Sequence, residues 1–457
     1  MKMEDSSRRI NKKVVNKYTG YAFMYAEYPN KNFWPKDFKE EDFKKSLVSF
    51  PTLETDVSPM LYIHSPYCRN LCLYCSCYKV VTKDYEKVKK HTEYLFEELD
   101  LFSRFFNENK INPSIELIHL GGGSPCYLKE SEFDRLIKKI DKLSPIKNVK
   151  EFAMEIDPRR VDKERMLYYS EKGVNRISFG IQEFDLNVQK TINRIQPPEL
   201  LENLLAPEVR KKFNNVSFDI LYGLPNQTKE SFRRTIEEVL RFSPDRIILL
   251  SFNYSPHIHK HQLAFKDKKI PDNALKTEIF FETSENLLKN GYLQLGLEHF
   301  VKPTDNLVKL WDKKKINWNM IGYTPGKGNR ILGIGPSSES RISDYYSQNI
   351  LSLGEYEKRV AQGRFPVLRS YKLTEEDRIR RDVINNLRSF FSLDYNDIEK
   401  KYDIEFKSFF EKEVNSLTDF AEDGLIELSD NGIKVTEQGK PFVSFVCMNF
   451  DSYYIKK

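Results

Sequence analysis

Residues 60–77 read MLYIHSPYCRNLCLYCSC. The strand-like run Met60–His64 leads at once into a loop carrying Cys68, Cys72, Cys75 and Cys77, four of the 6 cysteines in the chain. The first three are spaced Cys-x3-Cys-x2-Cys. Three thiolates can hold three irons of a [4Fe–4S] cube and leave the fourth iron open, whereas a cluster that only carries electrons has four cysteine ligands. An open metal position is where a substrate or cofactor binds, as in catalytic zinc sites. A zinc knuckle and a disulfide pair are the rival readings. A structural zinc site of this kind takes two separated pairs of ligands. The other two cysteines, Cys126 and Cys447, stand far from each other and read as small buried residues.

Outward from this loop, short strand-like runs alternate with amphipathic stretches. The strands are expected at Met60–His64, Ile115–Leu120, Glu151–Ile156, Arg176–Ile181, Val216–Leu221 and Arg246–Tyr254, from β-branched and aromatic enrichment beside turn signals. Helices are expected at Val88–Phe106, Glu130–Leu143, Lys163–Lys172 and Lys229–Phe242. Such alternation means βαβ units and a parallel sheet. Six units are too few for a full eight-fold barrel and suit an incomplete one. The suggestive residues fall at strand C-terminal ends, where barrels of this kind build their sites. Gly121–Ser124 follow the second strand, Glu155 ends the third, Gln182 follows the fourth, Asp219 lies in the fifth, and Asn253, Tyr254 and Ser255 close the sixth. His257, His259 and His261 then form an HIHKH string, read as a substrate-mouth loop ahead of a second metal site.

From about Ser370 the character changes. Leu373–Phe391 opens with a Thr cap and a carboxylate three residues on, an N-terminal helix signal. Helices at Tyr395–Tyr402 and Glu405–Phe420 follow, then LIELS and IKVT around a DNG turn, which reads as a hairpin. The tail is thus a small winged-helix-like domain, and without a basic recognition helix it reads as a scaffold rather than a DNA reader.

The 457 residues leave room for one large and one small domain. The net charge of +6 and pI near 8.7 are mild and spread along the chain, and no nucleic-acid signature is present. The string MKMEDSSRRINKK lacks the apolar core of a signal peptide, and no apolar run approaches a membrane span. The expectation is a soluble cytoplasmic protein in a reducing compartment.

At YIHSPYCRNLCLYCSC, LIHLGGGSPCYL, EIDPRR, NRISFGIQEF with NRIQP, DILYGLPNQT, GLEHF, IGYTPG, IRRDVI and VCMNFD, the chain resembles the radical S-adenosylmethionine (SAM) superfamily. Within it, the chain is most similar to the oxygen-independent coproporphyrinogen III dehydrogenase (oxidase) family, over about Tyr18 to Tyr454. The resemblance implies an α/β fold: an incomplete (β/α)6 TIM-like radical SAM barrel with a small C-terminal helical, winged-helix-like domain. It divides the chain into a polar N-terminal segment (1–55), the barrel with a substrate-covering extension (56–368) and the C-terminal domain (369–457). It makes Cys68, Cys72 and Cys75 the cluster ligands, with SAM on the open iron. Tyr62 would lie beside the cofactor, Gly122, Gly123 and Ser124 would approach its methionine end, and Glu155 would accept from its ribose. Gln182, Arg194 and Asp219 would complete the shell, Arg194 pairing with the cofactor carboxylate. Cys77 and Tyr62 are the catalytic candidates.

The implied reaction is radical: a 5′-deoxyadenosyl radical from SAM takes hydrogen from propionate side chains of coproporphyrinogen III, and loss of CO2 leaves vinyl groups, giving protoporphyrinogen IX. Family members can hold a second SAM. A tetrapyrrole substrate, an electron donor such as flavodoxin or ferredoxin and a monomeric state are implied. Departures from the family pattern stand at Ser255-Pro256, at Met320 and Ile321, and at Glu339, a glutamate that needs a partner or a raised pKa if buried. They keep open a radical SAM relative that methylates, cyclopropanates or opens a porphyrin ring, and a non-catalytic haem-binding protein.

Overall fold

The computed structural model describes residues 12–18, 25, 27–50, 57–326 and 328–454; much of the polar segment 1–55 lies outside them. Six parallel strands form the centre, hydrogen-bonded in chain order: β1 (Met60–Ser65), β2 (Leu117–Gly122), β3 (Glu151–Ile156), β4 (Arg176–Gln182), β5 (Asn215–Tyr222) and β6 (Arg246–Ser251). Helices return the chain between them: α1 (Tyr85–Glu108), α2 (Glu130–Leu143), α3 (Lys163–Glu171), α4 (Leu186–Thr191) and α5 (Lys229–Phe242). The strands alternate strictly, as a period of two requires. Leu61, Ile63, Ile118, Leu120, Phe152, Met154, Ile177, Phe179, Val216 and Phe218 lie on one face and join the main core under the helices. The other face carries Tyr62, His64, His119, Glu155, Ser178 and Asp219. Register aligns them: Tyr62 stands opposite His119, Glu155 opposite Ser178, and Gly180 opposite Asp219. The packed side of the sheet is thus apolar, and its concave side is polar and small.

The sheet stays open, as expected of an incomplete barrel. Arg330–Ile334 pairs parallel to β1, and antiparallel strands Glu339–Ile342, Tyr345–Asn349 and Val367–Lys372 extend that edge. Beyond β6, His299–Val301 and Leu293–Leu295 complete a sheet of 12 strands. β6 ends at Ser251, short of the expected Tyr254. The Asn253 side chain bonds Ser255 Oγ, and the Ser255 amide donates to Gln262 Oε1 at 2.6 Å. These local polar bonds replace the ladder.

The C-terminal part has its own core, built from Ile379, Val383, Leu387, Phe406, Phe410, Phe442 and Val446. Its first helix, α6 (Glu375–Phe390), is closed by a reciprocal capping box between Thr374 and Asp377. Strands Ser392–Asp394, Gly432–Val435 and Ile426–Ser429 form its small sheet. The single helix expected over Glu405–Phe420 is broken into Phe406–Phe409, Glu411–Ser416 and Thr418–Glu422. Phe406, Phe410, Leu417 and Phe420 all reach the core across these breaks.

The polar-looking N-terminal stretch is built into the molecule. Val14, Val15, Tyr18, Tyr25 and Tyr28 join the C-terminal core, and Phe43, Leu47 and Phe50 join the main core. Among the described residues, no helix is long and apolar enough to cross a membrane.

Candidate active site at the strand ends

The cysteine loop is held from two sides. The Leu73 amide donates to Ile192 O at 3.0 Å and the Asn193 side chain donates to Leu71 O at 2.8 Å, so the turn after α4 fixes its middle. From the other side, His261 Nε2 meets Cys75 O at 2.9 Å and the buried Gln262 side chain donates to Tyr74 O at 3.2 Å. Lys79 Nζ caps the Cys75 and Cys77 carbonyls at 3.0 and 3.2 Å. The HIHKH string therefore does a job its composition does not announce: His261 buttresses the loop. His259 stands beside it, ring centroids 5.9 Å apart.

Among the described residues, no three His, Cys, Asp or Glu side chains are gathered as a set for one metal ion. A single ion with sulfur ligands at about 2.3 Å requires such a set; a cluster spreads its ligands over several irons. The thiols differ. Burial pushes Cys68 up to about 12. A hydrogen bond from Cys77 holds Cys75 down at about 6 and pushes Cys77 itself up. Cys72 is buried. Arg194 Nη1 and Arg159 Nη2 approach its sulfur at 3.4 and 3.6 Å. Both guanidiniums are shared with Asp157, Arg159 at 2.7 Å and Arg194 at 3.5 Å. Burial alone would raise Asp157, but the Arg194 charge and the Arg159 bonds outweigh it and hold it at about 2.

Along the concave rim, Tyr62 Oη lies 3.0 Å from His64 Nδ1, and His64 Nε2 lies 3.0 Å from Tyr78 O. A carbonyl only accepts, so Nε2 carries the proton and Nδ1 accepts from the phenol. Burial lowers His64 to about 4, which keeps it neutral in this role. Burial, with Glu155 and Cys77 nearby, holds Tyr62 as a phenol. Glu155 accepts from His119 Nε2 at 3.0 Å and from the Gly122 amide at 3.2 Å. Its side chain keeps 40% of its surface open, so acceptor positions remain for a ligand. Ser178 donates to Asp219 at 3.0 Å, and burial next to Glu155 pushes Asp219 up to about 7.

The glycines answer first to the protein. Gly122 has φ +106°, and a Cβ there would sit 2.6 Å from the His64 ring; at Gly123 it would sit 2.7 Å from Pro66 O. Ser124 turns its hydroxyl to Cys126 Sγ at 3.2 Å. Gln182 holds φ +68° at a register shift in β4, a strained setting of the kind found at functional sites.

Every residue singled out from the sequence, from Tyr62 through Asp219, thus lies on or beside this rim. Arg194 is engaged with Cys72, Asp157 and Gly180 O (3.1 Å) rather than standing free. Four participants were not foreseen. His64 and His119 follow from period-two alternation with Tyr62 and Gly121. Asp157 and Arg159 lie in the EIDPRR string, directly after β3, where strand-end position was the available signal.

Glu339 is buried and has its partners. Lys31 Nζ lies 2.7 Å from Oε1, and Arg341 Nη2 2.7 Å from Oε2; Arg341 also pairs with Glu27. Burial would raise Glu339, but Arg341 and Lys31 outweigh it and draw it down to about 2. Met320 and Ile321 pack with Tyr62 against Met60, Leu117 and Ile331.

The donor set fits a cluster and SAM: three cysteines free of disulfides on one anchored loop, a partly open carboxylate, and cationic side chains at the cysteine sulfur. The Radical SAM superfamily profile matches residues 62–239, and the HemN C-terminal domain profile matches 373–442. An oxygen-independent coproporphyrinogen III oxidase of Helicobacter pylori is 35% identical over 445 residues, covering 97% of each chain. The protein of that name from Escherichia coli is 33% identical, over 97% of this chain and 95% of its own. The solved structure of coproporphyrinogen III oxidase from Escherichia coli, described as a radical SAM enzyme, superposes with a TM-score of 0.87 at 32% identity, covering 98% of this chain and 99% of that one. The chain belongs to the oxygen-independent coproporphyrinogen III oxidase family of the radical SAM superfamily.

Proposed function

We propose that this chain oxidatively decarboxylates propionate side chains of coproporphyrinogen III to vinyl groups, yielding protoporphyrinogen IX without oxygen. The observation that carries the reading is full-length likeness to oxidases of that name, joined to a rim that gathers the cysteine loop, Glu155 and Asp219 at the strand ends. Bound together, a reduced [4Fe–4S] cluster and SAM supply one-electron cleavage and hydrogen-atom abstraction, chemistry that side chains alone cannot perform.

The chain's own residues bind and orient. Cys68, Cys72 and Cys75 are assigned to the cluster. The Asp157-held guanidiniums of Arg159 and Arg194 would stabilise negative charge at Cys72, and Arg194 would pair with a SAM carboxylate. Glu155, fixed by His119 and the Gly122 amide, offers its remaining lone pairs to ribose hydroxyls. Gly122, Gly123 and Ser124 form the backbone wall on that side, with Gln182 and Asp219 opposite. Tyr62, its phenol held by His64, would lie beside the cofactor, and Cys77 is the exposed thiol at the end of the loop. Glu339 does not repel an anionic substrate, because Glu27, Glu339, Lys31 and Arg341 sum to zero charge.

We assign the barrel, 56–368, to the chemistry and 369–457 to scaffolding, in a monomeric cytoplasmic protein served by an electron carrier. The test is anaerobic: reconstitute the cluster, add dithionite, SAM and coproporphyrinogen III, and follow the tetrapyrrole by mass spectrometry. Two successive losses of CO2 with two hydrogens are expected. Deoxyadenosine with an unchanged tetrapyrrole would move the enzyme to another substrate.

A further inference from the structure

A cleft of about 460 Å³ opens between the cysteine loop and the entries to α1, α2 and α3. Its walls include Arg69, Lys83, Cys126, Lys129, Arg160 and Arg165. These come from the loop after β1, the turn Pro125–Tyr127 with the entry to α2, and the turn after β3. The cleft backs directly onto the metal-ligand candidates. Arg69 follows Cys68, and Arg160 follows Arg159, whose guanidinium lies 3.6 Å from Cys72 Sγ. Cys126, on its inner wall, meets Ser124 of the rim at 3.2 Å.

Its free charge is positive. Five cations, Arg69, Lys83, Lys129, Arg160 and Arg165, line it against three acids; Glu130 pairs with Arg165 at 3.3 Å, Asp162 accepts only from the neutral Arg165 amide at 2.8 Å, and four cations thus stand against Asp162 and Glu164. Arg69, Lys83 and Lys129 are exposed and in no ion pair among the described residues; Lys129 only lies over the Tyr85 ring, 4.2 Å from its centroid. Nothing in the function proposed above occupies this cleft, since SAM is assigned to the concave side.

We propose that this basic cleft docks a small acidic protein carrying a one-electron redox centre, which reduces the cluster through the back of the cysteine loop. The inference rests on reading that loop as the cluster site. In the step the carrier is oxidised by one electron and the cluster gains it; no bond forms or breaks. Unpaired cations around a concave surface steer an acidic partner and make its association depend on salt.

The test compares two reductants in the cluster-loaded protein. One is purified reduced flavodoxin, an acidic carrier; the other is dithionite, which needs no docking surface. Lys83→Glu with Lys129→Glu should weaken equilibrium binding of flavodoxin, titrated against the protein without turnover, and lower its kcat/KM, each by about tenfold or more at low ionic strength, leave dithionite-driven deoxyadenosine formation unchanged, and flatten the salt dependence. Lys407→Glu with Lys434→Glu, on the C-terminal domain, should change neither. Equal flavodoxin kinetics in the cleft variant and the wild type would overturn the docking site. So would an equal loss with both reductants, because the lysines would then act on the cluster and not on the carrier. A wild type that fails to cleave SAM even with dithionite overturns the cluster reading itself, a separate failure.

Discussion

At Cys72 two guanidiniums, Arg159 and Arg194, converge on one sulfur and share one carboxylate, Asp157. At strand Glu339–Ile342 two carboxylates, Glu27 and Glu339, share Arg341, with Lys31 beside them. Both clusters are largely buried, and both hold strongly shifted groups. The second is matched charge for charge and ties the N-terminal stretch to the sheet edge. The first carries an excess of positive charge over a thiol. Buried charge is tolerated when paired and strongly unfavourable when not. A matched set therefore maintains the fold, while an unmatched set at strand ends has charge left for a ligand, which the function proposed above assigns to an anionic cluster. The difference separates residues that hold the molecule from residues that work.

The hardest test of that contrast is Cys72→Ala, which should abolish cluster assembly and SAM cleavage together while leaving the fold intact. Iron and sulfide analysis with deoxyadenosine measurement checks it, and a variant with full iron and full activity would remove Cys72 from the ligand set. In the matched cluster, Arg341→Leu leaves two buried carboxylates with Lys31 as their one cation and should lower stability by about 3–5 kcal/mol. Urea denaturation reads this; a midpoint like the wild type's would mean that the quartet holds nothing. Glu155→Ala should keep the cluster but weaken SAM binding by about 1.5–3 kcal/mol, the range for a hydrogen bond to a charged group, measured by equilibrium binding to the loaded protein.

Outside both clusters the buried carboxyls set a pH slope. Burial pushes Glu98 and Glu183 up to about 7, against about 4.3 for an unfolded glutamate. Between those values these two carboxyls keep protons in the folded state that the unfolded state has lost, so their contribution to stability falls as pH rises from about 4 to about 7 and is level above. His64 and His299, lowered by burial to about 4 and about 3, oppose it below about pH 6.5. Denaturation midpoints that fall less between pH 5.5 and 8 in Glu98→Gln with Glu183→Gln than in the wild type would show it; an equal or larger fall in the variant would contradict the sign.

How much of this was legible in the sequence follows from distance along the chain. The six central strands, their order and the cysteine loop are written locally, in runs of alternating residues and turns, and the structure returns them with ends moved by a few residues. Glu155 and Asp219 were legible for the same reason, as polar residues on the small face near strand ends. The grip on Cys72 was not, because Arg159 and Arg194 lie 87 and 122 positions away. The quartet was less so: Lys31 reaches Glu339 across 308 positions, and Glu27 reaches Arg341 across 314. Sequence flagged Glu339 as a charge needing an explanation; only the fold supplies Lys31. His261 shows the converse, a conspicuous imidazole whose observed work is to hold a backbone carbonyl.

The most direct test of the central claim, that this rim abstracts hydrogen from a propionate, is isotope transfer. Coproporphyrinogen III deuterated at the propionate β-carbons would be turned over anaerobically with dithionite and SAM, and the deoxyadenosine analysed by mass spectrometry. The account predicts deuterium in the deoxyadenosine in step with vinyl formation. Vinyl product accompanied by unlabelled deoxyadenosine would contradict it.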